Sequence, residues 1–168
     1  DDPELRGLAA LALDEAAALW AAARDPSVPD ALRAKALARW ALKAQASERQ
    51  RAALLQWVVD GPSALASPAA VALSADPQGP ALVAQALSGP ISRDLLAAVG
   101  AIAGPEAMPA LGALLQGGAL GELAAPAQEA LAQLQARHGD AAAGRLAVIR
   151  GQAGGLAEAP PPGLAESE

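Results

Sequence analysis

The chain contains no Cys, Tyr, Phe, Asn or Thr, and among its 168 residues there are one His, one Met and three Trp. Without Cys there is no disulfide framework and no thiol chemistry. With a single His, zinc sites of the His/Cys type are essentially excluded. Strand formers are scarce: 7 Val, 3 Ile and none of Thr, Tyr or Phe. That composition rules against an all-β or α/β domain. Long apolar runs are missing as well. The longest weakly charged stretch, residues 75–92, carries Asp76, Pro77, Pro80 and Pro90. A membrane-spanning helix needs about 20 mostly apolar residues without such interruptions, so no membrane insertion is expected. No segment near the start has the basic-then-apolar layout of a signal peptide, and a cytoplasmic location is the expectation. The chain opens at Asp1 without Met, which leaves room for a longer chain upstream.

What is present is alanine and leucine. There are 49 Ala and 26 Leu, two of the strongest helix formers, so helices are expected throughout a single domain. Ala buries little area, so such a core must rely on close helix–helix approach, with Leu supplying the bulk. Net charge is −6. Broad nucleic-acid binding needs a basic face that releases counterions, and the acidic balance argues against it. The bases concentrate early: residues 1–60 hold 8 of them against 9 acids, and residues 61–140 hold 2 against 6.

Short amphipathic segments alternate with Pro, Gly and Asp punctuation at a period near 30 residues. In the clearest unit, Gly104-Pro105-Glu106 stops one helix and starts the next. Met108, Leu111, Leu114 and Leu115 follow as a helical stripe that ends at Gly117-Gly118. A second helix is expected from about Gly121 to Arg137, with Leu123, Ala127, Ala130, Leu131 and Leu134 on one face and Gly139 at its C-terminal cap. First-type helices recur near Asp14, Ser47, Pro77 and Pro105. Second-type helices recur near Asp30, Ser63 or Ser67, Ser88 or Pro90, and Leu120. Asp2-Pro3-Glu4-Leu5-Arg6 opens a further second-type helix, a leading half-unit. Such two-helix units cannot bury their own apolar faces and must stack on neighbours. The expected core is Leu11, Leu19, Leu32, Leu37, Leu54, Leu73, Leu82, Leu96, Val99, Ile102, Leu111, Leu114, Leu131 and Leu134.

The run Leu95-Leu96-Ala97-Ala98-Val99-Gly100-Ala101-Ile102-Ala103-Gly104-Pro105-Glu106-Ala107-Met108-Pro109-Ala110-Leu111 resembles the HEAT-repeat family, and in particular the short bacterial repeats related to those of phycobilisome lyases. Leu123 to Leu134, with Glu129-Ala130-Leu131, resembles the second helix of the same unit. The resemblance is good over residues 90–139, fair over 3–60 and poor over 61–89, where prolines crowd the helices. It implies an all-α fold, a right-handed α-solenoid of HEAT-like helix pairs over residues 1–140, that binds proteins or serves as a scaffold. It transfers no catalytic residues, because such repeats share no active site. Two alternatives come from the same resemblance: a bilin-lyase-like enzyme and a HEAT-like nucleic-acid-binding protein.

Residues 141–168 read differently. Gly144-Arg145-Leu146-Ala147, Gly155-Leu156-Ala157-Glu158 and Gly163-Leu164-Ala165-Glu166 form a small degenerate repeat around Pro160-Pro161-Pro162. That composition favours extended or disordered chain. Leu146, Leu156 and Leu164 each lie at or near a Gly, and are candidate anchors by which such a tail docks on a partner.

Chemistry-bearing constellations are few. Residues 33–51 hold Arg33, Lys35, Arg39, Lys43, Arg49 and Arg51 against one acid, Glu48. Lys35, Arg39 and Lys43 are spaced by four and line one ridge of a helix. They are either a solvated face or a docking stripe for an acidic protein partner. Trp20, Trp40 and Trp57 sit among Leu and Ala at helical spacing and are expected to be core bulk. His138 is expected in a helix's last turn, meeting exposed carbonyls. Asp1-Asp2 and Asp14-Glu15 are expected at helix starts, where acids suit the dipole. No Gly-x-Ser-x-Gly elbow and no phosphate loop is present. The resulting expectation is a non-enzymatic scaffold or adaptor with a protein partner, no cofactor, no metal and no nucleic acid.

Overall fold

Asp2 starts the first helix by accepting the Glu4 amide on its side chain at 2.9 Å, with Pro3 at the first helical position. The computed structural model describes residues 2–153, with side-chain surroundings defined over 2–139. Every regular element among them is helical: α1 (Pro3–Leu13), α2 (Ala16–Arg24), α3 (Asp30–Ala41), α4 (Glu48–Asp60), α5 (Ser63–Ser74), α6 (Gly79–Gln85), α7 (Arg93–Ile102), α8 (Ala107–Gln116) and α9 (Ala124–Ala153). Short 3-10 turns follow α6 and precede α9. Asp2 and Ser47 cap helices where the sequence marks a start, whereas α7 opens later than the expected Ser88 or Pro90, at Ser92. Ser47 and Gln50 form a reciprocal capping box on α4, and Ser92 accepts the Leu95 amide to open α7.

Helix adjacency follows the expected pairing. Within pairs, α2 lies on α3, α4 on α5, α6 on α7 and α8 on α9. Between pairs, α1 lies on α3, α3 on α5, α5 on α7 and α7 on α9. The odd-numbered helices thus form a continuous row, each also touching the even-numbered helix that precedes it.

The core is built as the composition demands. Of the 28 buried apolar residues described, 13 are Ala. Leu19, Leu37, Leu54, Leu73, Leu96, Val99, Leu111 and Leu134 are buried as expected, and Leu11, Leu32, Leu82, Ile102, Leu114 and Leu131 are half-buried. Small residues let helices touch. A Cβ added at Gly100 on α7 would meet the Ala130 Cα on α9 at 3.0 Å, and one at Gly7 on α1 would meet Val28 Cγ1 at 2.9 Å.

Two expectations need correction. The second helix of the last pair does not stop near Arg137 and give way to extended chain at 141, but continues to Ala153. Gly139 is not among the left-handed residues described. A glycine inside a helix costs about 1 kcal/mol without terminating it, and Ala141-Ala142-Ala143 is a strong helix former immediately beyond. Residues 154–168 lie outside the described residues. Asp14, in turn, does not open α2. It closes α1 in the left-handed region at φ 54°, its amide donating to the Ala10 carbonyl at 3.0 Å. Asp is one of the few non-glycine residues that tolerates this conformation. Glu15 then precedes α2 without a side-chain cap.

Pro68 lies inside α5, where it supplies no amide to the Ala64 carbonyl and its ring crowds that oxygen. Pro68→Ala is therefore expected to stabilise the chain by about 2 kcal/mol, read as a higher thermal midpoint by circular dichroism. An unchanged or lower midpoint would show that packing of the ring outweighs the missing bond.

Candidate interaction surfaces

The basic segment turns out to be largely engaged within the molecule. Arg33, 7% exposed, donates from Nε to the Ala23 carbonyl at 3.0 Å and from Nη1 to Asp30 Oδ1 at 2.7 Å. Arg39 donates to the Leu11 carbonyl at 2.7 Å, and Lys43 Nζ lies 2.7 Å from Asp14 Oδ2. Arg51 donates to the Ala46 carbonyl at 3.2 Å and to Asp76 Oδ2 at 3.1 Å. On α9, Arg137 donates to the carbonyls of Gly100 at 2.6 Å and Ala103 at 3.1 Å. A pattern emerges: Arg33, Arg39 and Arg137 each reach the last turn of a neighbouring helix, α2, α1 and α7 respectively. Those carbonyls have no intrahelical partner and carry the negative end of the helix dipole. Lys35, Arg39 and Lys43 are all exposed. Lys43, however, lies in the turn after α3, and only Lys35 has its side chain unengaged by the described residues.

Asp76 is the one buried carboxylate among the described residues. It sits in the turn between α5 and α6, accepting the Gln78 amide at 2.9 Å as well as the Arg51 guanidinium. Burial pushes its pKa up, but the Gln78 amide, the bond and charge of Arg51, and the Gly79 amide together outweigh this. They hold the carboxyl below the usual carboxylate range. A folded pKa below the unfolded one means a stabilising contribution that is present above the unfolded value and lost as pH falls through the folded one. Asp76→Asn is expected to destabilise the chain by about 2 kcal/mol at neutral pH. The gap from the parent chain should close as pH drops below about 4. Urea titrations of both proteins across that range check it, and a gap independent of pH would exclude the ionised pair as its source. Asp25 is lowered in the same direction, chiefly by the Ser27 hydroxyl and the Ser27 amide, against burial, with Arg6 adding to it.

The three tryptophans, expected as separate pieces of core, converge. The Trp20 ring lies 4.7 Å from Trp40 and 5.4 Å from Trp57, tilted at 42° and 45°. Trp40 is buried and the other two are half-buried. One from each of α2, α3 and α4, they tie the first two helix pairs together. Their spacing of 20 and 17 residues was the available signal, since it returns each Trp to a successive helix. His138 is not in a last turn, because α9 runs on beyond it. Its Nε2 is buried without a hydrogen-bond partner among the described residues. Leu146 falls on the helical backbone of α9, and Leu156 and Leu164 lie outside the described residues.

A groove of about 590 Å³ lies between α7 and α9. Leu96, Ala97, Ala101 and Ala130 make its apolar wall, and Arg93, Glu129 and Gln133 its polar one. Gly100 allows the two helices to cross closely below it. Gln133 donates weakly to Glu129 at 3.4 Å. Arg93 is exposed at the start of α7 and makes no ion pair or side-chain hydrogen bond among the described residues. An apolar trough with one uncommitted guanidinium is suited to a peptide carrying an apolar side chain and a carboxylate. Sequence reading passed over it because Arg93 is isolated in the chain, and because only the α7–α9 crossing brings Glu129 and Gln133 beside it.

Among the described residues, no group of three or more His, Asp or Glu side chains is arranged to hold a metal ion. No helix there is long and apolar enough to cross a membrane. The chain matches no known protein family, no curated protein and no solved structure.

Proposed function

We propose that this chain is a non-enzymatic protein-binding scaffold or adaptor, a right-handed α-solenoid of HEAT-like helix pairs whose surface receives a segment of another protein. The observation that carries the reading is the groove between α7 and α9, with an apolar wall and, at its rim, Arg93 unpaired among the described residues. The row of odd-numbered helices, each resting on the next, supports the solenoid, since that is how two-helix units bury faces they cannot bury alone. The partner segment that fits is acidic and partly apolar: a carboxylate meets Arg93 and an aliphatic side chain lies along Ala97 and Ala101.

The test is affinity capture with the parent chain, followed by binding measurements on the recovered partner using Ala97→Trp, which fills the groove, and Arg93→Glu, which reverses its charge. Both sites are exposed, so the fold should survive. Each change is expected to weaken binding at least about tenfold. Lys35→Glu tests the basic ridge cleanly, because reversing Arg39 or Lys43 would also break their contacts with α1 and Asp14. A rim charge of that kind should slow association in a salt-sensitive way. A stoichiometric partner indifferent to both groove variants would move the binding surface elsewhere. Failure to recover any protein, together with turnover of a small molecule by the purified chain, would overturn the scaffold reading.

A further inference from the structure

The groove between α7 and α9 has a direction. Gly100 packs on Ala130, and Ala103, further along α7, accepts from Arg137, further along α9. The two helices therefore run the same way. Ala101 and Gln133 mark one end of the groove, Arg93 and Ala125 the other. Arg93 stands seven residues before Gly100, about 10 Å along the helix from the level of Ala130. Glu129, next to Ala130, lies about 9 Å short of Arg93 by the same measure. A chain entering at the Gln133 end thus passes Gln133 and Glu129 first, which offer its backbone a donor and an acceptor. Only then does it come to the guanidinium.

The sequence carries a segment of the fitting chemistry. Residues 154–168 hold Glu158, Glu166 and Glu168, no base, and Leu156 and Leu164 as their large apolar side chains. Gly155-Leu156-Ala157-Glu158 and Gly163-Leu164-Ala165-Glu166 present the same four residues twice. Their reach differs. The helical backbone of α9 runs to Ala153, 20 residues past Gln133, which is about 30 Å at 1.5 Å per residue. Leu156 is three residues past Ala153 and reaches back at most about 11 Å, far short of the groove. Leu164 is eleven residues past it and reaches about 40 Å, enough for the level of Ala97 and Ala101. Arg93 stands near the level of Ala125, about 42 Å back from Ala153, and Glu166 reaches about 47 Å. Pro160-Pro161-Pro162, between the two copies, favours extended chain, which lowers the entropy lost in spanning that distance. Gly154-Gly155, directly after α9, permits the reversal that the path requires.

We infer that residues 163–166 bind the groove between α7 and α9 of the same molecule, with Leu164 against Ala97 and Ala101 and Glu166 on Arg93. The inference rests on the groove's preference for an acidic, partly apolar segment, and it gives that site a built-in competitor. Tethering sets an effective concentration on the order of 1 mM. A partner must outbind the tethered segment at that concentration to enter the groove.

The test is fluorescence polarisation of a labelled peptide with the sequence of residues 162–168, titrated with variants of the 168-residue chain. Leu164→Asp removes the competitor and should bind the peptide about tenfold more tightly than the parent chain. Deleting residues 160–162 leaves Leu164 a reach of about 29 Å, short of Ala101, and should give the same gain. Leu156→Asp, the same change in the copy that cannot reach, should bind the peptide as the parent does. Adding Arg93→Glu to Leu164→Asp should remove the gain. Because the chain has no cysteine, placement can be read directly. Ala97→Cys with Ala165→Cys should form a disulfide at a rate independent of protein concentration, and Ala97→Cys with Ala157→Cys should not. A peptide bound equally by the parent and by Leu164→Asp would overturn the inference and leave the groove's preference standing. A peptide bound by neither would overturn that preference and the inference with it. Equal gains from Leu156→Asp and Leu164→Asp, or cross-linking that rises with protein concentration, would place the contact between molecules and overturn it too.

Discussion

Trp40→Ala is expected to destabilise the chain by about 4 kcal/mol, the largest loss from any single truncation of a side chain here. Trp40 is 2% exposed at the end of α3, and its ring lies against Trp20 of α2. In a core made so largely of Ala, no neighbouring side chain can expand into the space an indole leaves, so the cavity stays open and its cost is carried in full. Against a domain stability of about 5–15 kcal/mol, that loss should lower the thermal midpoint by roughly 10 °C. Circular dichroism is the right monitor, because the mutation removes one of three fluorophores. Trp20→Phe and Trp57→Phe keep most of the bulk at half-buried sites and should each cost less than about half as much. Equal losses at all three positions would mean that the cluster is one energetic unit without a buried centre.

The second large effect is backbone crowding. Gly79 opens α6, and a Cβ built there would overlap the carbonyl oxygen of Leu73, with the carbonyl carbon only 2.6 Å away. Leu73 is fully buried and its carbonyl accepts the Asp76 amide at 3.1 Å, so neither side of the turn can give way. Gly79→Val is expected to cost at least about 3 kcal/mol, with α6 displaced from α5. Gly112 on α8 supplies the contrast. A Cβ there meets nothing within 4 Å and its backbone is helical, so Gly112→Ala should stabilise by about 0.5–1 kcal/mol. Chemical denaturation of the two variants checks both signs at once. A tolerated Gly79→Val would mean that the turn relaxes without loss.

Several elements could be read directly because their signals are local. Asp2-Pro3 opens α1, Ser47 and Gln50 bracket the start of α4, and Gly117 closes α8, each through contacts made within one turn of chain. Leucine spacing found seven of the ten buried leucines described for the same reason, since a helix's period decides which side chains share a face before any neighbour arrives. Local signals misled where two of them compete. Gly139 has the composition of a stop, but the Ala run after it favours continuation and α9 goes on. Asp14 looks like a helix start, yet the same tolerance of unusual backbone lets it end α1 instead.

Alanine and leucine content, the 30-residue period and the caps determined that this chain folds as successive helix pairs, because propensity, periodicity and capping all act within one or two turns. The partners of charged and aromatic side chains were decided only by tertiary structure. Arg33, Arg39 and Arg137 find the carbonyl ends of helices 10, 28 and 37 residues away. Three dispersed tryptophans become one cluster. Arg93 gains its groove from a helix about 30 residues on. A long side chain is committed by whichever helix end or ring the stacking brings within about 3–5 Å, and stacking is a property of the assembled row rather than of any stretch of the chain.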